Sequence, residues 1–226
     1  MLTNRFLRIA APLTLWLALT GCEDPAKDKP KATVSDAPAT TAAAKPTGAP
    51  ATKPAAAPAG EAITLDAAST VGFIGSKVTG KHEGKFEKIT GSIALGPDGK
   101  PEGGSVTVEI DMDSVKTDQE KLDGHLKAPD FFDVAKFPKA KFTSTEVKAG
   151  GDKGATHTLT GELDLHGVKK TISFPATITV GADAVTATTE FALNRKDFGI
   201  AYEGKKDDLI RDEVVIKLDI KAPRKK

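Results

Sequence analysis

The chain has 226 residues, room for one domain with extensions or for two small domains. Its 32 Lys and Arg nearly cancel its 31 Asp and Glu, which argues against the basic stripe of a nucleic-acid binder. One cysteine excludes an internal disulfide framework and a cysteine-based zinc site, and His82, His125, His157 and His166 have no metal-motif spacing.

Arg5 and Arg8 precede an apolar run from Ile9 to Leu19. That pattern is a secretory signal, too short for a comfortable transmembrane helix. Leu19-Thr20-Gly21-Cys22 follows and resembles the lipobox of bacterial lipoproteins. The resemblance implies a signal peptide over 1–21 and a lipid on Cys22 that anchors a periplasm-facing protein, with inner or outer membrane left open. Two or more acyl chains at about 0.8 kcal/mol per CH₂ hold a protein stably at a bilayer. Residues 23–60 contain thirteen Ala and seven Pro, with Val34 the one large apolar side chain. Such a stretch cannot bury enough surface to offset its ordering entropy. It is expected to be a disordered spacer over 22–60, spanning ~35 Å as a coil or ~120 Å as extended polyproline II.

A domain is expected over 61–226, with 25 basic and 27 acidic residues once the first sixty are set aside. Its apolar residues alternate with polar ones: Val106, Val108, Ile110 and Met112; Leu159, Leu163 and Leu165; Ile172, Phe174, Ala176, Ile178 and Val180; Val214, Ile216, Leu218 and Ile220. Period two means strands with one dry face. Strands are expected near 62–66, 70–78, 84–95, 104–112, 139–148, 156–166, 169–180, 184–194 and 212–221. A helical insertion is expected at about 118–134, with its helix at 118–126. Short turns at Gly96–Gly99, His166–Gly167 and Gly181–Asp183 imply antiparallel neighbours. The expected fold is all-β: an antiparallel barrel of eight or nine strands, since closure removes sheet edges.

Nine of the ten Phe lie in this domain, four of them between Phe131 and Phe142. An eight-stranded barrel is either filled by its side chains or holds one ligand. The Phe cluster fits both, and small inward residues such as Gly161, Ala176 and Ala187 favour open volume.

Several stretches carry a family resemblance. They are Val71-Gly72-Phe73, Gly84-Lys85-Phe86 with Gly91, and Val108-Glu109-Ile110-Asp111 with Ser114 and Thr117. Gly124-His125-Leu126 through Asp130-Phe131-Phe132-Asp133, and Phe137-Pro138 through Phe142, follow. Gly161 through Lys170, Asn194-Arg195-Lys196-Asp197-Phe198-Gly199-Ile200 and the closing strand from Val214 complete the series. In this order they resemble the YceI-like, or polyisoprenoid-binding, family over about 62–222. The resemblance implies a lipocalin-like barrel that holds a long isoprenoid or similar amphiphile and performs no reaction. Phe73, Phe86, Val108, Ile110, Leu126, Phe131, Phe132, Phe142, Leu163, Phe174 and Phe191 are the expected wall of that site. His125, Asp130, Arg195 and Asp197 are either a polar set at a ligand head group or structural ion pairs.

No catalytic residue, metal site or cofactor is expected, the lipid being the ligand. A G-x-S-x-G nucleophile motif is absent. The expected partners are the lipid and the membrane, with no nucleic acid; a homodimer is left open. The expected function is an envelope lipoprotein that binds or carries a long-chain lipid. The alternative is a solid-core envelope interaction or stress-response protein with no small ligand.

Overall fold

In chain order, the computed structural model of the protein, which describes residues 24–36 and 62–224, contains β1 (Thr33–Asp36), β2 (Ala62–Thr64), β3 (Thr70–Lys77), β4 (Gly80–Phe86), β5 (Ile89–Ala94), β6 (Ser105–Asp111), β7 (Val115–Thr117) and α1 (Glu120–Lys127). Then come β8 (Lys139–Ala149), β9 (His157–Leu165), β10 (Val168–Val180), β11 (Ala184–Asn194), β12 (Gly204–Lys205), β13 (Asp208–Leu209) and β14 (Glu213–Pro223). The signal-peptide segment, Cys22 and residues 37–60 of the expected spacer lie outside the described residues.

Twelve of these strands form one curled antiparallel sheet in the order β2-β5-β6-β8-β9-β10-β11-β14-β3-β4-β7, with β1 beside β10. β12 and β13 make a separate small hairpin. This is the all-β, lipocalin-like architecture expected, with α1 as its one α-helix among the described residues. Besides the β12–β13 hairpin, the strand count differs in three places. The expected strand 84–95 is two strands, broken at Glu87 and Lys88. There the chain rounds a corner held by Glu87 N–H to the Ser114 carbonyl and Lys88 N–H to Ser114 Oγ, 3.1 and 3.0 Å. β4 also begins earlier, at Gly80, where the less exposed residues Gly80, His82 and Gly84 are not apolar and so hide the alternation. β7 was hidden in the stretch leading to the helix.

The third difference corrects the spacer. Residues 24–36 are folded onto the sheet. β10 pairs with β9 along Val168–Ala176 but with β11 only along Thr177–Val180. The two strands diverge from there, leaving a seam with unsatisfied edges. The 30–36 segment fills it: Ala192 donates to the Pro30 carbonyl (2.8 Å), Ala32 donates back to Ala192 (2.9 Å), and β1 pairs with Lys170–Ser173. Just before it, Ala26 is fully buried on the outer face against Ile74, Ala192 and Val215. Backbone donors buried in a sheet need partners, and this segment supplies them.

α1 is held through Asp123, buried despite its charge. Its carboxylate accepts from the Thr117 amide (2.7 Å) and hydroxyl (2.8 Å) on β7. Leu126 turns inward from the same helix.

Candidate functional site

The inner face of the sheet is not uniformly packed. Toward the 95–104 and 181–183 turns, Ile93, Leu95, Val106, Val147, Leu159, Ile178, Val185 and Ala187 are buried on one another. A gap of only about 10 Å³ remains there. Toward α1 and the 195–212 segment lies a cavity of about 190 Å³. Inward residues at this end, among them Ile110, Phe132, Phe142, Leu163, Val214, Ile216 and Leu218, are only half-buried. They keep accessible surface because they face open space, not neighbours. The molecule is therefore solid at one end and hollow at the other.

All eleven wall residues expected from the sequence line this one cavity. Phe73 comes from β3, Phe86 from β4, Val108 and Ile110 from β6, Leu126 from α1, and Phe131 and Phe132 from the turn after it. Phe142, Leu163, Phe174 and Phe191 come from β8 to β11. The period of two put the strand residues on one face, and the insertion carries the rest across. Sequence reading missed the rest of the wall, among it Gly75, Met112, Leu193, Ile200, Ile210 and, from β14, Val214, Ile216 and Leu218. Ile200 and Ile210 sit in irregular chain, where no period marks them.

The small residues do not open the space as expected. Ala176 and Ala187 belong to the buried core, and a Cβ on Gly161 would stand 2.7 Å from Phe142 Cζ. Gly161 is where the Phe142 ring lies. The same device recurs at Gly84, where a Cβ would come within 2.3 Å of Phe73 Cζ. Phe73, Phe86 and Phe132 form an aromatic triad with centroids 5.8 to 6.5 Å apart. Phe174 and Phe191 stack at 4.3 Å across the seam between β10 and β11.

The four polar candidates separate. Arg195 is buried in the cavity wall, and among the described residues it is the one charged side chain there. It donates to the carbonyls of Ile200 (2.7 Å), Arg211 (3.1 Å) and Ile210 (3.4 Å), with Asp212 at 3.6 Å. Burial lowers its pKa, while Asp212 and Glu203 oppose that shift. A guanidinium has five N–H donors, so Arg195 both pins the 200–211 chain and keeps donor capacity. His125 and Asp130 pair with each other at 2.9 Å on the partly exposed outside. His125 also packs edge-on against Phe131 and Tyr202, 5.0 and 5.1 Å away. Asp197 is exposed and is not a partner of Arg195. The set does not assemble as a group, because the carbonyl cage takes Arg195 away from the His125–Asp130 pair.

Among the described residues, no group of three or more His, Cys, Asp or Glu could hold a metal ion. No described helix is long and apolar enough to cross a membrane.

Comparison with known proteins gives the same outline. The UPF0312 protein of Pseudomonas putida (strain F1) is 35% identical over 127 residues, 54% of this chain. A UPF0312 protein of Pseudomonas syringae pv. tomato is 38% identical over 127 residues. The chain spans 65% of the length of these relatives. Among solved structures, BcnA of Burkholderia cenocepacia is 25% identical with a TM-score of 0.63, covering 70% of this chain and 99% of its own. A polyisoprenoid binding domain from Saccharophagus degradans, implicated in plant cell wall breakdown, shares the fold at 18% identity and TM-score 0.56, over 71% of this chain and 98% of its own. The sequence pattern of the YceI-like domain matches residues 64–222, most of the chain, so the protein belongs to the YceI-like family.

Proposed function

We propose that the protein binds a long-chain isoprenoid or similar amphiphilic lipid in the cavity, as a carrier and not as an enzyme. The carrying observation is the wall, which is apolar and aromatic nearly throughout. An apolar chain would lie against the phenylalanines, while Arg195 holds the 200–211 chain that completes the wall. At ~25 cal/mol per Å², a chain exposing ~600 Å² gains about 15 kcal/mol gross, reduced by the costs of ordering and association. The leader and Cys22 support a lipid-anchored protein facing the periplasm.

The test is native mass spectrometry of the chain from residue 24 onward, followed by lipid extraction. The expected result is one co-purified lipid per chain, or uptake of added prenyl phosphate or quinone. A chain that is empty and takes up neither overturns the reading and favours an interaction protein.

A further inference from the structure

The folded 24–36 segment changes what the anchor does. Asp24 is salt-bridged to Arg211 at 3.3 Å. Lys29 pairs with Glu190, and Lys31 with Glu213 at 2.5 Å. Ala26 is fully buried. The segment is thus a strap fastened to the barrel from its first described residue. Cys22 stands two residues before Asp24, a reach of at most about 7 Å. The long spacer expected from composition would have given the barrel far greater freedom.

The place where the strap begins is specific. Arg211 follows Ile210, which lines the cavity, and its carbonyl is held by Arg195. The two large apolar residues that stand out as exposed among the described residues are at the same end. They are Val78 at 57% and Leu209 at 47%, joined by a hydrogen bond from Val78 N–H to the Leu209 carbonyl of 3.2 Å. Lys205 and Lys206 are exposed on the same small hairpin. An exposed apolar pair with Lys205, Lys206 and Asp207 exposed beside it, next to a chain end bound for a lipid, suits the interface of a bilayer.

We infer that the Val78–Leu209 tip is a membrane-docking surface, and that the strap holds it, with the Arg195 end of the cavity, against the bilayer that carries the anchor. The inference rests on the reading of Cys22 as the lipidated residue. Its occupant is a lipid bilayer. Docked in this way, the hollow half of the barrel faces the membrane and the solid half faces away.

The experiment couples the chain from Cys22 onward, through that thiol, to a maleimide lipid in phosphatidylethanolamine/phosphatidylglycerol vesicles, so the geometry is read whatever the cell attaches. The protein's one tryptophan, Trp16, lies in the leader, which makes Leu209→Trp, Val78→Trp and Asp98→Trp single-fluorophore variants. Asp98 is exposed in the turn after β5, at the solid end. Spin-labelled lipids are expected to quench the first two several-fold more than the third. A second variant inserts ~12 Gly/Ser residues between Glu23 and Asp24, a coil of roughly 20 Å, leaving the strap docked. Quenching at Leu209→Trp should then fall toward that of Asp98→Trp. Equal quenching at all three positions, or no fall on insertion, overturns the inference. The mass of the Cys22 peptide from cells expressing the full chain separately decides the lipidation reading: an unmodified cysteine refutes that reading while the quenching still reports orientation.

Discussion

Gly84 and Phe73 occupy one place in the wall between them, and that makes the cavity sensitive to a single methyl group. In Gly84→Ala the Cβ would meet the Phe73 ring at 2.3 Å, so the ring must swing into the open space beside Phe86 and Phe132. Lipid uptake should weaken by about tenfold, or ~1.4 kcal/mol, with the melting temperature little changed; a binding titration beside a thermal melt checks both. Arg195 carries a different load. Arg195→Met leaves three carbonyls without their donor, at ~1–3 kcal/mol for each buried group left unsatisfied. Denaturant unfolding should show a loss of several kcal/mol. Asp123 sets a pH dependence. Chiefly the Thr117 hydroxyl bond, and also its amide bond and Lys116, hold its pKa below the ordinary 3.8, against the opposing effect of burial. A depressed folded-state pKa contributes stability that is present above the unfolded value and lost as pH falls through the folded value. Melting temperature should therefore fall more steeply on the acid side of pH 4 in the wild type than in Asp123→Asn, as a pH series of melts will show.

At the scale of elements, the strap is the feature with the clearest consequence. Ala26→Arg cannot keep a fully buried position against Ile74 and Val215, so the segment should lift away. Hydrogen exchange should then accelerate at Ala192, whose N–H bonds to Pro30, and along Lys170–Ser173. Amides of β9 that face β8 should stay protected. The strap also shows where sequence reading stops. β9, β10, β11 and β14 were legible because each repeats period two over nine or more residues. The helix was legible from its polar run around Leu122 and Leu126. β1 has four residues and one large apolar side chain, Val34, in a stretch rich in Ala and Pro. Its reason to be extended is a seam more than 130 residues away in sequence, created by the divergence of β10 from β11. No local pattern records that. The wall was legible in part: strands supplied most of the expected residues, but Gly75, Leu193 and the β14 residues Val214, Ile216 and Leu218 also line it. Of Arg195, the structural ion pair was legible, and Asp212 stands at 3.6 Å; its carbonyl partners were not, because they are backbone of an irregular segment, which any sequence could provide.

The sheet is curled into a half-barrel whose end strands β2 and β7 do not pair; it encloses two different interiors, and the same substitution should report on each. Val185 is completely buried at the solid end, whereas Val214 is half-buried against the cavity. Val185→Ala should cost about 2 kcal/mol, because truncation removes contacts and leaves a void. Val214→Ala should cost less than half of that, because its side chain already faces space; equilibrium unfolding of the two variants measures the contrast. A bound lipid should reverse part of that asymmetry, raising the melting temperature with ligand concentration as mass action requires. The division also explains why composition alone left both solid and hollow barrels open. Both are present, and the Phe residues serve the hollow half while Val, Ile and Ala fill the other.

The chain is fastened at Asp36, through Lys170, and again at Ala62 in β2, so both ends of the Ala- and Pro-rich tract between them are fixed. The entropy of such a loop grows only with the logarithm of its length, about 0.6 kcal/mol for each doubling. Insertions and deletions in this tract are therefore nearly neutral for folding. They also leave the span from Cys22 to the strap untouched, since that span is the two residue steps before Asp24. Natural variation in length should accumulate here, and hardly at all between the cysteine and the strap.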